Sequence, residues 1–290
     1  MMVRLALAQS TFATVALISV CVAAHAQDSS PWEEQPHAAV RLLAGHALTS
    51  VEGGSAAVWR AGIEIRLDPG WKTYWRYPGD SGVPPTFDFA QSANIKAVTV
   101  LWPAPERFAD GAGGHSIGYI GDVVLPLDVT AHDVAKPALL RLKLNYAICG
   151  KLCVPAEADL KLAVSGAGGA ENSALSAAQA RVPRRVPLGA GGDLAITAVS
   201  RGSGAEHDRV VVDVKAPVGV PVELFVEGPT PEWVLPLPEP ISPAPGATPT
   251  MRRFVFALDG LPPGAHAEGA TLTLTAVSPH DAIEVQSRLD

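Results

Sequence analysis

The sequence predicts an all-β protein, in which a β-sandwich is followed by a second, smaller, proline-rich β domain. Two observations support this fold class. Apolar and polar residues alternate with a period of two along several segments, which is typical of strands with one buried face. Turn signals such as Asp68-Pro69-Gly70 and Pro78-Gly79-Asp80 separate these segments. Short strands spaced in this way are typical of a β-sandwich.

The first 26 residues have the features of a signal peptide. An apolar stretch follows Arg4, and Ala24-His25-Ala26 offers a small-x-small cleavage site, so we expect the mature chain to begin at Gln27. The alternative is lipidation at Cys21, but Val20 is bulkier than the small residue that lipoprotein processing favours. No later segment approaches the run of about 18 to 20 apolar residues that crosses a bilayer. We therefore expect export from the cytoplasm and no membrane insertion after signal cleavage.

The charge of the chain argues against nucleic acid as a partner. The formal net charge is -7, and removal of the signal peptide takes away Arg4 and no acid, which gives -8. An acidic chain lacks the basic surface that binds phosphate backbones. About 264 residues then remain, enough for two domains with their own cores.

Residues 27–165 contain the clearest strand patterns and are predicted to form the first sandwich. From Trp59 to Leu67 the odd positions are apolar, while Arg60, Glu64 and Arg66 would face water. The further predicted strands of this domain are Ile95 to Leu101, Val123 to Val129, Leu140 to Tyr146 and Leu160 to Val164.

Residues 166–192 are rich in Gly, Ala and Ser and are predicted to form a linker with a short helix near Asn172 to Arg181. Residues 193–290 form the predicted second β domain, whose role the sequence does not indicate. Fifteen of the 26 prolines lie from Pro183 onward, and the run from Pro229 to Pro249 predicts a long surface loop or sheet edge. The predicted strands are Leu194 to Val199, Val210 to Val214, Val222 to Val226, Phe254 to Leu258 and Thr271 to Val277.

After signal cleavage the chain keeps two cysteines, Cys149 and Cys153, separated by Gly150-Lys151-Leu152 at the mouth of a predicted hairpin. This position can bring the two Cα atoms within disulfide range. So short a loop contributes little entropic stabilisation, whereas exposed loop disulfides are open to thiolate attack. Lys151 could lower a thiol pKa. A structural disulfide and a redox pair both stay open; a metal site is less favoured because two sulfurs need two more ligands.

Aromatic residues cluster before the turn that follows Pro78. The rings of Trp71, Tyr74, Trp75 and Tyr77 could fill the sandwich core or form a lid over the cysteines. The acids Asp80, Glu106 and Glu157 are candidate proton acceptors for a thiol, although acids of this kind are often only solvated.

Four motifs in order resemble the N-terminal periplasmic domain of the DsbD thiol-disulfide interchange family, in particular its ScsB-like variant from copper-tolerance proteins. The resemblance covers roughly residues 45 to 165. The motifs are Trp71 through Trp75-Arg76-Tyr77-Pro78-Gly79-Asp80-Ser81-Gly82, Trp102-Pro103-Ala104-Pro105, Ser116-Ile117-Gly118-Tyr119, and Tyr146-Ala147-Ile148-Cys149 to Cys153-Val154-Pro155.

The resemblance implies an immunoglobulin-like periplasmic domain in which Cys149 and Cys153 are the redox pair. It implies that the loop from Tyr74 to Gly82 is a cap, with Tyr74, Trp75, Tyr77 and Asp80 as cap or docking residues. By motif order, Cys153 is expected to form the mixed disulfide. The implied activity is that of a thiol-disulfide oxidoreductase of the protein-disulfide reductase type, without a cofactor.

The resemblance also implies partners. In the family a membrane domain reduces the pair, which then reduces periplasmic thioredoxin-like proteins such as disulfide isomerases or cytochrome c maturation thioredoxins. The gap between the cysteines is shorter here than in typical members, and residues 1–290 show neither a membrane electron carrier nor a Cys-x-x-Cys thioredoxin. We therefore expect a separate membrane-embedded thiol reductase to supply electrons.

Two other functions stay open at this point. The chain could be a non-catalytic binding or scaffold protein whose disulfide pins a hairpin. It could also handle copper, because thiolates favour soft Cu(I).

Overall fold

The computed structural model describes residues 27–48, 58–111, 113–203 and 208–290. The predicted signal peptide, residues 1–26, lies outside them. Within these ranges the elements are β1 (Glu33–Gln35), β2 (Ala38–Leu48), β3 (Val58–Leu67), β4 (Lys72–Gly79), β5 (Thr86–Asp88), β6 (Ile95–Val100), β7 (Glu106–Ala109), β8 (His115–Ile120), β9 (Val123–Ala131), β10 (Ala138–Cys149), β11 (Cys153–Val164), α1 (Asn172–Ala180), β12 (Arg184–Arg185), β13 (Ala195–Ser203), β14 (Asp208–Lys215), β15 (Glu223–Glu227), β16 (Glu239–Ile241), β17 (Met251–Ala257), β18 (Thr271–Val277) and β19 (Ala282–Arg288).

Two sheets form the first half of the molecule and enclose one core. Their strand orders are β1-β2-β3-β9-β6 and β11-β10-β4-β8-β7, and β5 pairs with β10. The predicted alternation is visible in β10, where Leu140, Leu142 and Leu144 are buried while Arg141 and Lys143 face solvent. One face of β10 therefore packs against the core and the other faces water, as the alternation in the sequence predicted.

The segment with the predicted helix packs against the first sandwich. Leu175 of α1 is buried and lies against β2 and β3, where a Cβ at Gly45 or Gly62 would come within 2.7 or 2.6 Å of its methyl carbons. Glycine at these two positions lets the helix approach the sheet closely. The segment is thus anchored to the first half, and it continues into β12, which pairs with β19.

The second half consists of two further sheets, with strand orders β12-β19-β18-β15 and β13-β14-β17-β16. The predicted all-β class is confirmed for both halves. In the proline-rich run, β16 is a short edge strand, but Trp233, Leu235 and Leu237 are buried, so this run also covers the core. The boundaries at residues 165 and 193 stay predictions.

The halves are in direct contact. Phe225 of β15 and Leu237 of the proline-rich run belong to the hydrophobic core of the first sandwich. A strand that carries site residues, β4, lies at this contact and is described below.

Candidate functional site

The two cysteines close the β10–β11 hairpin. The antiparallel register runs from Ala138 opposite Val164 to Cys149 opposite Cys153. The two cysteines form a disulfide with their Cα atoms 4.1 Å apart. Because the last ladder pair carries both sulfurs, the hairpin itself fixes their separation.

The disulfide lies on the outer face of the six-stranded sheet. In β10 the even-numbered residues up to Ile148 face the core, so Ala147 and Cys149 face outward. Cys149 is only 6% exposed, whereas Cys153 is an exposed residue. An attacking thiolate from another protein therefore meets Cys153 first.

The hydroxyl of Tyr74 contacts both sulfurs. Its oxygen lies 2.9 Å from Cys149 Sγ and 3.2 Å from Cys153 Sγ. Disulfide sulfurs carry no hydrogen, so the phenol is the donor in both contacts. A single O–H group is thus placed where negative charge develops when the S–S bond breaks.

Tyr74 keeps its proton across the neutral range. Burial raises the pKa of its phenol, the hydrogen bond with Ser116 lowers it, the charge of Asp110 raises it, and the net change is upward. The donor is therefore present at neutral pH.

A cleft of about 370 Å³ opens beside the disulfide. Tyr74, Phe108, Ala147 and Cys149 form a small apolar cluster at its base. Lys72, directly opposite Cys149 in the ladder, places its Nζ 4.4 Å from the centre of the Phe108 ring. The ammonium group thus sits on the same side of the sheet as the sulfurs, where positive charge favours a thiolate.

The turn between the cysteines is supported from below by Trp71. A Cβ at Gly150 would come within 2.9 Å of the Trp71 ring, so only glycine allows this approach without adjustment. The Trp71 ring also stacks on His37 with a centroid distance of 4.1 Å, and His37 Nδ1 lies 2.8 Å from Asp68 Oδ2.

The predicted cap loop from Tyr74 to Gly82 is wrong over its first part, because residues up to Gly79 belong to β4. Strand alternation sends successive side chains to opposite faces. Tyr74 reaches the sulfurs, whereas Trp75 is fully buried against Phe225 with a ring-centroid distance of 5.9 Å. Tyr77 is also buried, and its hydroxyl donates to the carbonyl of Leu235. Trp75 and Tyr77 therefore do not cap the cysteines.

Residues 80–85 form the segment that borders the disulfide, and we call it the cap turn. Gly82 has φ +126°, and a Cβ there would come within 2.3 Å of the Tyr74 ring. Val83 is 62% exposed and lines the clefts on both sides of Cys153. The cap turn thus overlaps the predicted loop only at residues 80–82.

The predicted acids occupy other positions. Asp80 is the first residue of the cap turn, and its carboxylate accepts a hydrogen bond from the backbone N–H of His115. Glu157 lies in β11 about 13 Å from Cys153, by a strand rise of about 3.3 Å per residue, which is too far to accept a thiol proton directly. Glu106 begins β7 and lines a different cleft.

Sequence reasoning missed Lys72, Phe108 and Val83. Lys72 lies within the quoted aromatic motif and Val83 directly after it, but nothing in the sequence shows which strand neighbours β10. Lys151, which the sequence suggested, is exposed in the turn and also lines the cleft. Among the described residues, no group of three or more His, Cys, Asp or Glu side chains is placed to hold a metal ion.

The fold resembles a known crystal structure, that of the N-terminal periplasmic domain of ScsB from Proteus mirabilis. The TM-score is 0.68 at 22% identity, and the match covers 90% of this chain and 98% of that one. Because coverage is so high, both β halves have counterparts in that fold. No curated protein sequence matches the chain.

Residues 39–165 match the family model described as the N-terminal region of the thiol:disulfide interchange protein DsbD. The resemblance inferred from the motifs is confirmed, and the matched residues contain the Cys149–Cys153 disulfide, Tyr74 and the cap turn. In the described part of the chain, no helix has the length and apolar character needed to cross a membrane.

Proposed function

We propose that the protein is a periplasmic thiol-disulfide oxidoreductase that receives electrons from a separate membrane-embedded thiol reductase and passes them to periplasmic thioredoxin-like proteins. The observation that carries the proposal is the geometry of the disulfide: an exposed Cys153, a shielded Cys149, and a phenol that donates to both sulfurs. A disulfide that only pins a hairpin needs none of these features.

The reductive half of the cycle starts at Cys153. A thiolate of the electron donor attacks Cys153 Sγ, a mixed disulfide forms, and Cys149 leaves as a thiolate that accepts the Tyr74 hydrogen bond. A second donor thiolate attacks the donor sulfur of the mixed disulfide and releases Cys153. Two electrons have then entered the pair, and the donor has become a disulfide.

The oxidative half runs in the opposite sense. The Cys153 thiolate attacks a disulfide of the acceptor, and the first acceptor sulfur leaves as a thiolate. Cys149 then attacks Cys153 Sγ, restores the Cys149–Cys153 bond and releases the second acceptor thiolate. The acceptor thiolates take up two protons, so the acceptor ends as a dithiol.

A trapping experiment tests this division of roles. The acceptor is a thioredoxin-like protein that keeps one active-site cysteine, activated as a mixed disulfide with a small thiol. In reduced Cys149→Ser protein, Cys153 attacks the acceptor sulfur and the small thiol leaves. Because neither protein keeps a second thiol at the site, the mixed disulfide between the two proteins should accumulate. In the matched variant Cys153→Ser, the remaining thiol is shielded, and little adduct should form. Equal trapping by both variants would contradict the assignment of Cys153 as the attacking sulfur.

The reduction potential of the pair tests the activity itself. A value in the range of catalytic dithiols, about -120 to -270 mV, is expected, whereas a value below about -300 mV would indicate a structural disulfide. Equilibration of the mature protein with glutathione or dithiothreitol, followed by trapping of free thiols, gives this value.

A further inference from the structure

The strand that carries Tyr74 leaves its ladder immediately after this residue. Tyr74 lies opposite Gly118 of β8, whereas Gly79 lies opposite Ser116, so the register shifts between them. Residues 75–78 lie opposite the single residue Ile117 in this interruption, and we call them the β4 bulge. Tyr74 precedes the bulge and the cap turn follows it, so the position of the bulge affects both.

Two glutamates of the second half of the molecule bind the arginine of the β4 bulge. The guanidinium of Arg76 forms two parallel hydrogen bonds with Glu227, from Nε to Oε1 at 2.8 Å and from Nη2 to Oε2 at 2.7 Å. Its Nη2 also donates to Glu284 Oε2 at 2.6 Å. A bidentate pair of this kind fixes orientation as well as distance.

These charges are largely withdrawn from solvent. The side chain of Glu284 is 7% exposed, and those of Arg76 and Glu227 are 24% and 20% exposed. A second arginine, Arg185 of β12, also contacts Glu284, at 2.9 Å. Removal of one partner from such a cluster leaves a poorly solvated charge, so the arrangement resists displacement.

Two neutral contacts hold the neighbours of Arg76. The Tyr77 hydroxyl donates to the Leu235 carbonyl at 2.5 Å, and the Trp75 ring packs against Phe225. Every one of these contacts joins the bulge to residues after α1. The bulge residues that lack a ladder partner in β8 are thus the ones that the second half holds.

We propose that the second β half is a clamp on the redox site, in which Arg76 is a positioning residue that fixes the β4 bulge and, through it, Tyr74 and the cap turn. The proposal rests on the proposed function and gives residues 184–288 a role in it. Loss of the clamp lets Tyr74 and the cap turn move away from the disulfide, which exposes the sulfurs and removes a donor from the thiolate.

Conservative variants of the full mature chain test the clamp. Arg76→Lys keeps the charge but loses the planar fork, and Glu227→Gln keeps the shape but loses the charge. The matched controls are Arg253→Lys and Asp213→Asn, because Arg253 and Asp213 form a bidentate pair of similar exposure, 26% and 22%, within the second half. The readouts are the rate of disulfide reduction by dithiothreitol and the pH profile of alkylation of the reduced protein by iodoacetamide.

We expect Arg76→Lys and Glu227→Gln to accelerate reduction by up to about tenfold, because the reagent gains access to the sulfurs. The alkylation profile should move to higher pH by about one unit, as expected for loss of one hydrogen bond to a thiolate. The control variants should lower thermal stability without either change. If the Arg76 and Glu227 variants also lower only stability, the contacts merely join the halves and the clamp is overturned.

A further variant keeps the outcome clear. Should Arg76→Lys fail to fold, Tyr77→Phe removes one hydrogen bond from the same bulge and should produce a smaller shift in the same direction; no shift in a folded variant overturns the clamp. Both readouts use small reagents, so they report on the clamp even if trapping with a thioredoxin-like protein fails, an outcome that would count against the proposed function alone.

Discussion

At the scale of single residues, the Tyr74 hydroxyl is the feature that distinguishes this disulfide from an ordinary cross-strand pair. It is one donor shared by two sulfurs, at 2.9 and 3.2 Å, and it stays protonated because burial raises its pKa. Lys72 adds a positive charge on the same side of the sheet. Together they favour the charged form of whichever sulfur is released.

Tyr74→Phe removes the donor and keeps the ring. A hydrogen bond to a charged group contributes about 1.5 to 3 kcal/mol, so the pKa of the attacking thiol should rise by about one to two units. The alkylation rate of the reduced protein as a function of pH measures this shift. Tyr146→Phe, which removes a buried hydroxyl on the core face of β10, is the control. An unchanged profile in Tyr74→Phe would exclude the proposed hydrogen bond to the thiolate.

At the scale of elements, the period of two in the sequence was sufficient to locate β3, β9, β10 and β18, because each has one face in a core. It was insufficient for β4. There the motif combines residues of three different environments, with Tyr74 at the sulfurs, Trp75 in the core and Arg76 at the second half. Sequence alone does not show that a bulge separates them, so the motif was interpreted as a loop.

The residues of the candidate site also divide into those that the sequence predicted and those that it did not. The cysteine pair and its hairpin were predictable because both follow from residues adjacent in sequence. Lys72 and Phe108 were not, since their approach to Cys149 depends on β4 lying beside β10 and on β8 and β7 following β4 in the sheet, and strand order is set by the packing of the whole sandwich.

The cap turn depends on a glycine whose substitution should open it. At Gly82, alanine would adopt an unfavourable φ of +126° and would also collide with the Tyr74 ring. We expect Gly82→Ala to speed reduction of the disulfide by dithiothreitol. Gly121→Ala is the matched control, because Gly121 also has a positive φ but no atom lies within 4 Å of its Cβ position; equal rates in both variants would argue against a shielding role for the turn.

At the scale of the whole molecule, the core and the interface between the halves contain phenols that resist ionisation. Burial, followed by the charges of Asp80 and Glu227, raises the pKa of Tyr77 to about 12. Burial, followed by the charge of Glu33, raises the pKa of Tyr146 to about 12. The folded chain therefore binds the phenol protons of Tyr77 and Tyr146 more tightly than the unfolded chain does, in which the tyrosine pKa is about 10.

Stability should consequently fall in alkali. A raised folded-state pKa gives a contribution that is complete below pH 10 and lost as the pH rises through about 12. Denaturant titrations at several pH values should show this decline. Tyr146→Phe should flatten it, and at neutral pH this variant should be no less stable, because no partner is found among the described residues for the buried Tyr146 hydroxyl. A stability that is constant between pH 10 and 12 would contradict the assignment.

The contact between Trp71 and the disulfide hairpin has an optical consequence. The indole stacks on His37 and contacts Gly150, which belongs to the turn that joins the two cysteines. A disulfide quenches the fluorescence of a nearby indole, so the emission of Trp71 should increase when the bond is reduced. The chain contains six tryptophans, and the difference between the unaltered protein and Trp71→Phe isolates this signal. The molecule thus carries its own reporter of oxidation state, readable in real time and without a label.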